Sequence, residues 1–352
     1  MHASTVAIDL AKEVFELAFA DDRGRVVERK RLSRRAFARA LEQRPPLRVL
    51  MEACGSAHYW ARRFQRLGHA VRLLPARDVR PYVRGNKTDR NDVAGILEAD
   101  RCGNIAGVPV KTPEQQGIQA LHRLREHLKA ERTATTNLLR GVLREFGVTI
   151  PAGALKVPAA VRDALEDGDN ELPMPLRYSL DDQRQRLAQL QADMAAIEQR
   201  LEEFADRDVA VQRYRRVPGV GLLTATALRA SAGDLSRFRN GRQFAAWLGL
   251  TPREHSSGQQ RRLGGLTKRG DVYLRTLLVH GARAVLTAAR LKQRRGQPLD
   301  PLQAWALKVQ DARGHNKAAC ALANKLARRL WAMEHHGQAF DPRHVSQRPG
   351  AH

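Results

Sequence analysis

The chain has 352 residues, with 61 Lys and Arg against 37 Asp and Glu and a formal net charge of +24. Hydrophobic residues make up 43% and charged residues 28%, which supports a sizeable core and argues against wholesale disorder. The charge points to a polyanionic partner, nucleic acid first and an anionic membrane second, whereas no apolar run is long enough for a transmembrane helix.

The N-terminus lacks the basic and apolar regions of a signal peptide. Cys54, Cys102 and Cys320 are too few and too scattered for a disulfide framework or a zinc motif. A cytoplasmic protein with reduced thiols is expected.

In chain order, residues 4–10, 14–20 and 25–31 read as strands, the last two separated by the turn signal Asp21-Asp22-Arg23-Gly24. A helix is predicted from Arg34 to Gln43 and ends before Pro45-Pro46. A strand follows at 47–52, a helix at 57–67, a strand at 70–74 and a helix near 90–100. This β-β-β-α-β-α-β order predicts an α/β layer with an antiparallel start and parallel later strands. Residues 113–146 read as a long helix, and 147–178 as a Gly- and Pro-rich connector holding a short helix. Leu187, Leu190, Met194, Ile197, Leu201 and Phe204 alternate in steps of three and four, a heptad seam. It predicts a coiled coil or helical hairpin, paired with 113–146 or with another chain. From Val209 onward the pattern is compact, basic and helical, with a last helix at 317–334 and a polar tail.

Two groups of residues carry chemistry. Asp9 and Glu52 close the first and fourth strands, and Asp89 and Asp92 stand at the start of a helix. Neighbouring strand ends lie about 5 Å apart, and helix positions three apart share a face. One fold can therefore gather all four carboxylates. Like charges repel, and a hard divalent cation such as Mg²⁺ supplies a reason to gather them. Taken singly, Asp89 and Asp92 also read as ordinary first-turn acids.

In the second group, Val217-Pro218-Gly219-Val220-Gly221 before a helix looks like the turn of a helix-hairpin-helix, where Gly219 and Gly221 bring backbone amides to a phosphate. An ordinary Pro-Gly turn is the plainer reading. Between Thr251 and Arg275 there are six Lys or Arg and two acids around His255-Ser256-Ser257-Gly258. A serine there can attack phosphorus if activated, although Ser-Gly is a common loop pair. Lys87, Arg90, Arg261, Arg262, Lys268 and Arg269 are candidate phosphate contacts. The run from Arg29 to Arg39 reads as a nucleic-acid face or as a charged edge strand.

These segments, together with Leu248-Gly249-Leu250-Thr251-Pro252, Thr267-Lys268-Arg269-Gly270 and Gly314-His315-Asn316-Lys317-Ala318, resemble the transposases of insertion-sequence family one hundred and ten, the bridge-RNA-guided recombinases. Residues 1–105 resemble the RNase H/RuvC-like nuclease fold. The resemblance implies a RuvC-like DEDD domain at 1–110, a helical or coiled-coil region at 111–206, and a mostly helical C-terminal transposase domain at 207–340 with a helix-hairpin-helix. A tail occupies 341–352. It also implies Mg²⁺ bound by Asp9, Glu52, Asp89 and Asp92. A serine placed just before the glycine, Ser257 rather than Ser256, would form a covalent link to DNA. Expected partners are duplex DNA, a structured non-coding guide RNA and further copies of the chain as dimer or tetramer. Two rivals stand beside this reading. One is a RuvC-like hydrolytic nuclease or junction resolvase with no covalent intermediate. The other is a non-enzymatic nucleic-acid-binding scaffold.

Overall fold

The computed structural model describes residues 3–86, 88–258 and 260–343. Lys87 and most of the 341–352 tail lie outside the described residues. The chain divides into two compact units, Met1–Glu114 and Gln115–His352.

The first unit runs β1 (Thr5–Asp9), β2 (Val14–Ala20), β3 (Val26–Ser33), α1 (Arg34–Arg39), β4 (Arg48–Glu52), α2 (Ala57–Arg66), β5 (Ala70–Leu74), α3 (Ala76–Val79), a 3-10 turn at Arg80–Tyr82, and α4 (Asp89–Arg101). The sheet order is β3-β2-β1-β4-β5. β1 is antiparallel to β2 and parallel to β4, and β4 is parallel to β5. The predicted order and strand directions are therefore present. Helix α1 is shorter than expected. After Arg39 the chain tightens into i→i−3 bonds, Glu42 N to Arg39 O and Arg44 N to Leu41 O, on its way to Pro45.

Alternation along the strands builds two different faces. Val6, Ile8, Phe15, Leu17 and Met51 join Phe37, Trp60 and Phe64 of α1 and α2 in one core. There the Phe15 and Phe37 rings stack 4.1 Å apart. Ala7, Ala18, Leu50 and Leu74 face the other way, onto Val93, Ile96 and Ala99 of α4. Asp100, near the end of α4, is 7% exposed. It is clamped by Arg48 at the start of β4, 2.7 Å away, and by Arg72 of β5. Helix α4 thus runs antiparallel to β4.

The second unit contains α5 (Pro113–Glu145, beginning at the join), a 3-10 turn at Ala154–Lys156, α6 (Val157–Glu166), α7 (Met174–Arg207), α8 (Val209–Arg215), α9 (Leu222–Ala232), a 3-10 turn at Leu235–Arg237, and α10 (Gly241–Trp247). A ribbon of β6 (Pro252–Glu254) and β7 (Leu263–Leu266) follows, then α11 (Val272–Arg294), α12 (Pro301–Arg313) and α13 (His315–His335). Helix α7 begins inside the predicted 147–178 connector, because Pro175 in its first turn has no helical hydrogen bond to lose. Its heptad seam is consumed within the chain. Leu180 and Leu187 pack with Leu139 and Leu143 of α5, and Ile197 and Leu201 pack with Ile118. The two helices are antiparallel, with ion pairs Arg125–Glu198 and Arg186–Glu131 at 2.7 Å along the join. The ribbon was not foreseen: its strands are three and four residues long, and Leu263-Gly264-Gly265-Leu266 carries little strand signal.

Helices α9 to α13 close on a core of Ala and Leu. His122 of α5 ties into it. Its Nε2 lies 3.0 Å from Thr226 Oγ1 of α9 and its Nδ1 3.0 Å from Tyr273 Oη of α11. Thr226 already donates to Leu222 O, so Nε2 carries the proton and Nδ1 accepts from the tyrosine. Burial, and then Arg125, push the His122 imidazole down to about 4. The unfolded chain takes this proton near 6.5, so between these values unfolding takes up protons and stability falls as pH falls. Acidification from pH 7 to 4.5 should remove ~2 kcal/mol through this group. His122→Gln should show a smaller fall in melting temperature over that range than the parent chain, read by calorimetry. Equal falls would discard the assignment.

Candidate active site

Parallel pairing of β1 and β4 aligns Ile8 with Met51, so Asp9 and Glu52 leave the sheet side by side at the carboxyl ends of adjacent strands. That end is where open α/β sheets bind ligands. Both carboxylates act on Cys54, two residues past β4. Burial raises the Cys54 thiol, and Glu52 and then Asp9 raise it further. Asp89 and Asp92 occupy the first turn of α4, which Thr88 caps by accepting from Asn91 N at 3.3 Å. Because α4 is antiparallel to β4, this turn lies toward the same end of the sheet as Asp9 and Glu52. Helix and strand are of similar length, about 20 Å and 16 Å.

The acids share one end of one unit, with an all-carboxylate donor set suited to a hard cation. Among the described residues, however, no three His, Cys, Asp or Glu side chains stand close enough together to hold a metal ion. One further acid belongs to this neighbourhood. Glu16 pairs directly with Asp9 across β1 and β2, and Arg31 pairs with Glu16 from β3. Glu16 is the one charged residue in Val14–Ala20, a signal that sequence reading passed over.

The glycines of the turn between α8 and α9 differ from each other. Gly219 has φ +83°, and a Cβ there would come 2.7 Å from Gly281 O of α11. Its requirement for glycine is a packing requirement. Gly221 caps α9 with φ −86° and has open space where a Cβ would stand.

The serines lie in the turn of the β6–β7 ribbon. Ser256 is held: its hydroxyl donates to Glu254 Oε1 at 2.8 Å and accepts from Arg262 N at 3.2 Å. The hydrogen bond from Ser256 lowers Glu254, and Arg261, 3.2 Å away, adds to this. Ser257 and Gln260 exchange backbone hydrogen bonds around Gly258 at φ +55°, which places Ser257 at the exposed tip. No hydrogen bond to the Ser257 hydroxyl is seen among the described residues. Arg262 is exposed and reaches Gln260 Oε1 at 3.3 Å. Lys268 and Arg269 are exposed on the next loop, where Lys268 adopts φ +55°. That loop is pressed onto the turn at Trp247–Gly249, and a Cβ on Gly270 would come 2.1 Å from Trp247 O. Arg90 is exposed on α4.

Comparison with known proteins defines a class, the DNA transposases. Residues 6–148 match a DEDD transposase model of the IS110 type, and residues 211–296 match the model described as Transposase IS116/IS110/IS902 family. The chain is 44% identical to a probable family 20 transposase of Pseudomonas aeruginosa, over 95% of this chain and 97% of that protein. It is 38% identical to the transposase for insertion sequence element IS1111A of Coxiella burnetii, over 93% and 88%. It is 37% identical to the transposase for element IS1328 of Yersinia enterocolitica, over 96% and 99%. The chain belongs to the IS110 family of insertion-sequence transposases. A DEDD domain implies use of a divalent metal in general, and DNA is the partner that transposases act on. Among the described residues, no helix is long and apolar enough to cross a membrane.

Two outcomes test this geometry. Glu52→Gln should speed alkylation of Cys54 at pH 8, because one of the charges raising its thiol is gone. An unchanged rate would place the carboxylate elsewhere. Gly219→Ala should lower the melting temperature by several degrees, overpacking costing about 1–3 kcal/mol, whereas Gly221→Ala should barely move it.

Proposed function

We propose that this transposase cuts and rejoins DNA through a covalent serine–phosphate intermediate, with its first unit acting as a RuvC-like domain around a Mg²⁺ site. The supporting observation is the contrast between the two serines. Ser256 is bound by Glu254 and by the Arg262 amide, while Ser257 is presented at the tip of an exposed, arginine-rich ribbon. In the reaction, the Ser257 oxygen bonds to phosphorus and one bridging P–O bond breaks. The serine proton is released, and the departing deoxyribose oxygen is protonated. Religation runs the same exchange backward, with a free DNA hydroxyl as nucleophile. Arg261, Arg262, Lys268 and Arg269 supply positive charge to the phosphate oxyanion.

Asp9, Glu52, Asp89 and Asp92 are the residues that would hold the cation. A bound divalent ion would polarise a scissile phosphate. The role of this chain's residues is to bring four carboxylates to one end of the sheet, so that the ion's arrival relieves their repulsion. Lys87, Arg90 and the Gly221 end of α9 are proposed backbone contacts to nucleic acid. Gly219 then acts there by holding the turn against α11. Specificity is proposed to come from a structured guide RNA, read by shape and backbone rather than by base edges. The chain is proposed to work as a dimer or tetramer. Leu124 and Leu138, each 54% exposed and fourteen residues apart on α5, are apolar side chains that the α7 pairing leaves uncovered. The regions 111–206 and 207–340 are proposed as separate functional parts.

Incubation with element-end DNA, followed by denaturing electrophoresis, tests the chemistry. The parent chain should give a protein–DNA adduct. Ser257→Ala should abolish it and Ser256→Ala should retain it. Asp9→Asn should reduce it at least 100-fold while leaving the circular dichroism spectrum unchanged. Cleavage without any adduct would establish hydrolysis instead. An adduct lost in Ser256→Ala and kept in Ser257→Ala would move the nucleophile by one residue.

A further inference from the structure

The second unit holds a groove of about 1600 Å³, more than the ~300–1,000 Å³ of small-molecule sites. Its floor is one face of α13, where Lys317, Ala321, Asn324, Arg328 and Ala332 follow at steps of three and four. Ala321 and Ala332 are the small side chains along this face. Trp305 and Arg313 of α12 wall one side, and Pro252, Leu263 and Leu266 of the ribbon also line it. The groove therefore begins at the base of the ribbon that carries Ser257.

Its charge is one-sided. Arg242, Arg313, Lys317, Lys325 and Arg328 line it, and the acid among its lining residues is Asp341. Among the described residues, none of these five cations is ion-paired with a carboxylate. The Lys325 ammonium stands 4.1 Å over the Trp305 ring. Burial, followed by Arg329 and Arg328, pushes Lys325 below its usual range, while Asp300 and Asp341 act on Arg329. Cations on a convex surface are hydrated and screened, whereas in a concave trough with apolar walls their fields add.

We propose that this groove seats a single strand of nucleic acid running from the Ser257 ribbon along α13. The cations meet successive phosphates, and the apolar walls meet sugars and unpaired bases. Lys317 and Arg328 are eleven residues apart, about 16 Å along the helix, room for up to about five nucleotides at a duplex-like rise. A duplex would shield its bases and leave Trp305, Leu263 and Leu266 without a partner. The inference rests on the proposed function only in taking nucleic acid as substrate.

Cys320 lines the groove as a half-buried free thiol, and Cys102 is an exposed thiol in the other unit. The full chain, without metal, is saturated with a 20-nucleotide DNA strand, with saturation confirmed by anisotropy. Maleimide modification of each cysteine is then timed by peptide mass spectrometry. Modification of Cys320 should slow at least tenfold, and that of Cys102 less than twofold. The double variant Lys317→Gln/Arg328→Gln should bind at least tenfold more weakly, with a salt slope smaller by about 1.4 for two lost phosphate contacts. An unprotected Cys320 in the saturated complex would overturn the proposal. So would equal protection by a polyglutamate peptide, or protection by blunt duplex alone. No cleavage is needed, so the same measurement runs in Ser257→Ala. Protection of Cys320 with no adduct in the parent chain would sink the serine chemistry and leave the groove standing. An adduct with Cys320 unprotected would do the reverse.

Discussion

The placement of the first unit's acids depends on the clamp at Asp100. This carboxylate is nearly buried between Arg48 and Arg72, and an isolated buried charge is costly. The clamp is satisfied only when the end of α4 meets the start of β4. With α4 oriented that way, its first turn faces the carboxyl ends of β1 and β4. Ala7 and Ala18 complete the constraint by keeping that face of the sheet shallow enough for α4 to lie on it. A charge pair at one end of the sheet thus directs the acids at the other end.

Three acids then crowd one end of the sheet. Asp9 has Glu16 across the ladder and Glu52 beside it, and burial, with Glu52 and Asp9 adding to it, raises the Cys54 thiol. Repulsion of this kind is tolerated when something else fixes the backbone. Here the fixing comes from Val6, Ile8, Val49 and Met51, all fully buried. Strand interiors supply the stability, and strand ends are left to carry the acids.

Much of this was legible in the sequence, for physical reasons. The alternation in Thr5–Asp9 and Val14–Ala20 declares strands with one buried face, and an acid at the end of such a strand is conspicuous. The heptad seam in α7 was equally clear, but a seam does not name its partner. What stayed hidden were pairings between distant residues. Asp100 reads as a solvated helix charge until Arg48 and Arg72 are seen around it. Gly219 reads as a phosphate-binding glycine until Gly281, on α11, is found against it. Glu254 and Ser256 acquire meaning only when the ribbon folds them together. Each depends on a contact that no local pattern encodes.

In the proposed reaction, the ribbon makes a serine available without activating it in the resting protein. An unassisted hydroxyl is a weak nucleophile, and among the described residues no base is hydrogen-bonded to Ser257. Glu254, the carboxylate within the ribbon, is already committed to Ser256 and Arg261, which keeps it charged and keeps it off Ser257. What the ribbon does provide is positive charge at a tip with little backbone bulk. Such a tip offers a favourable electrostatic partner to a phosphodiester. In the reaction proposed above, reactivity would then depend on the bound nucleic acid, which suits an enzyme whose product is a rejoined strand.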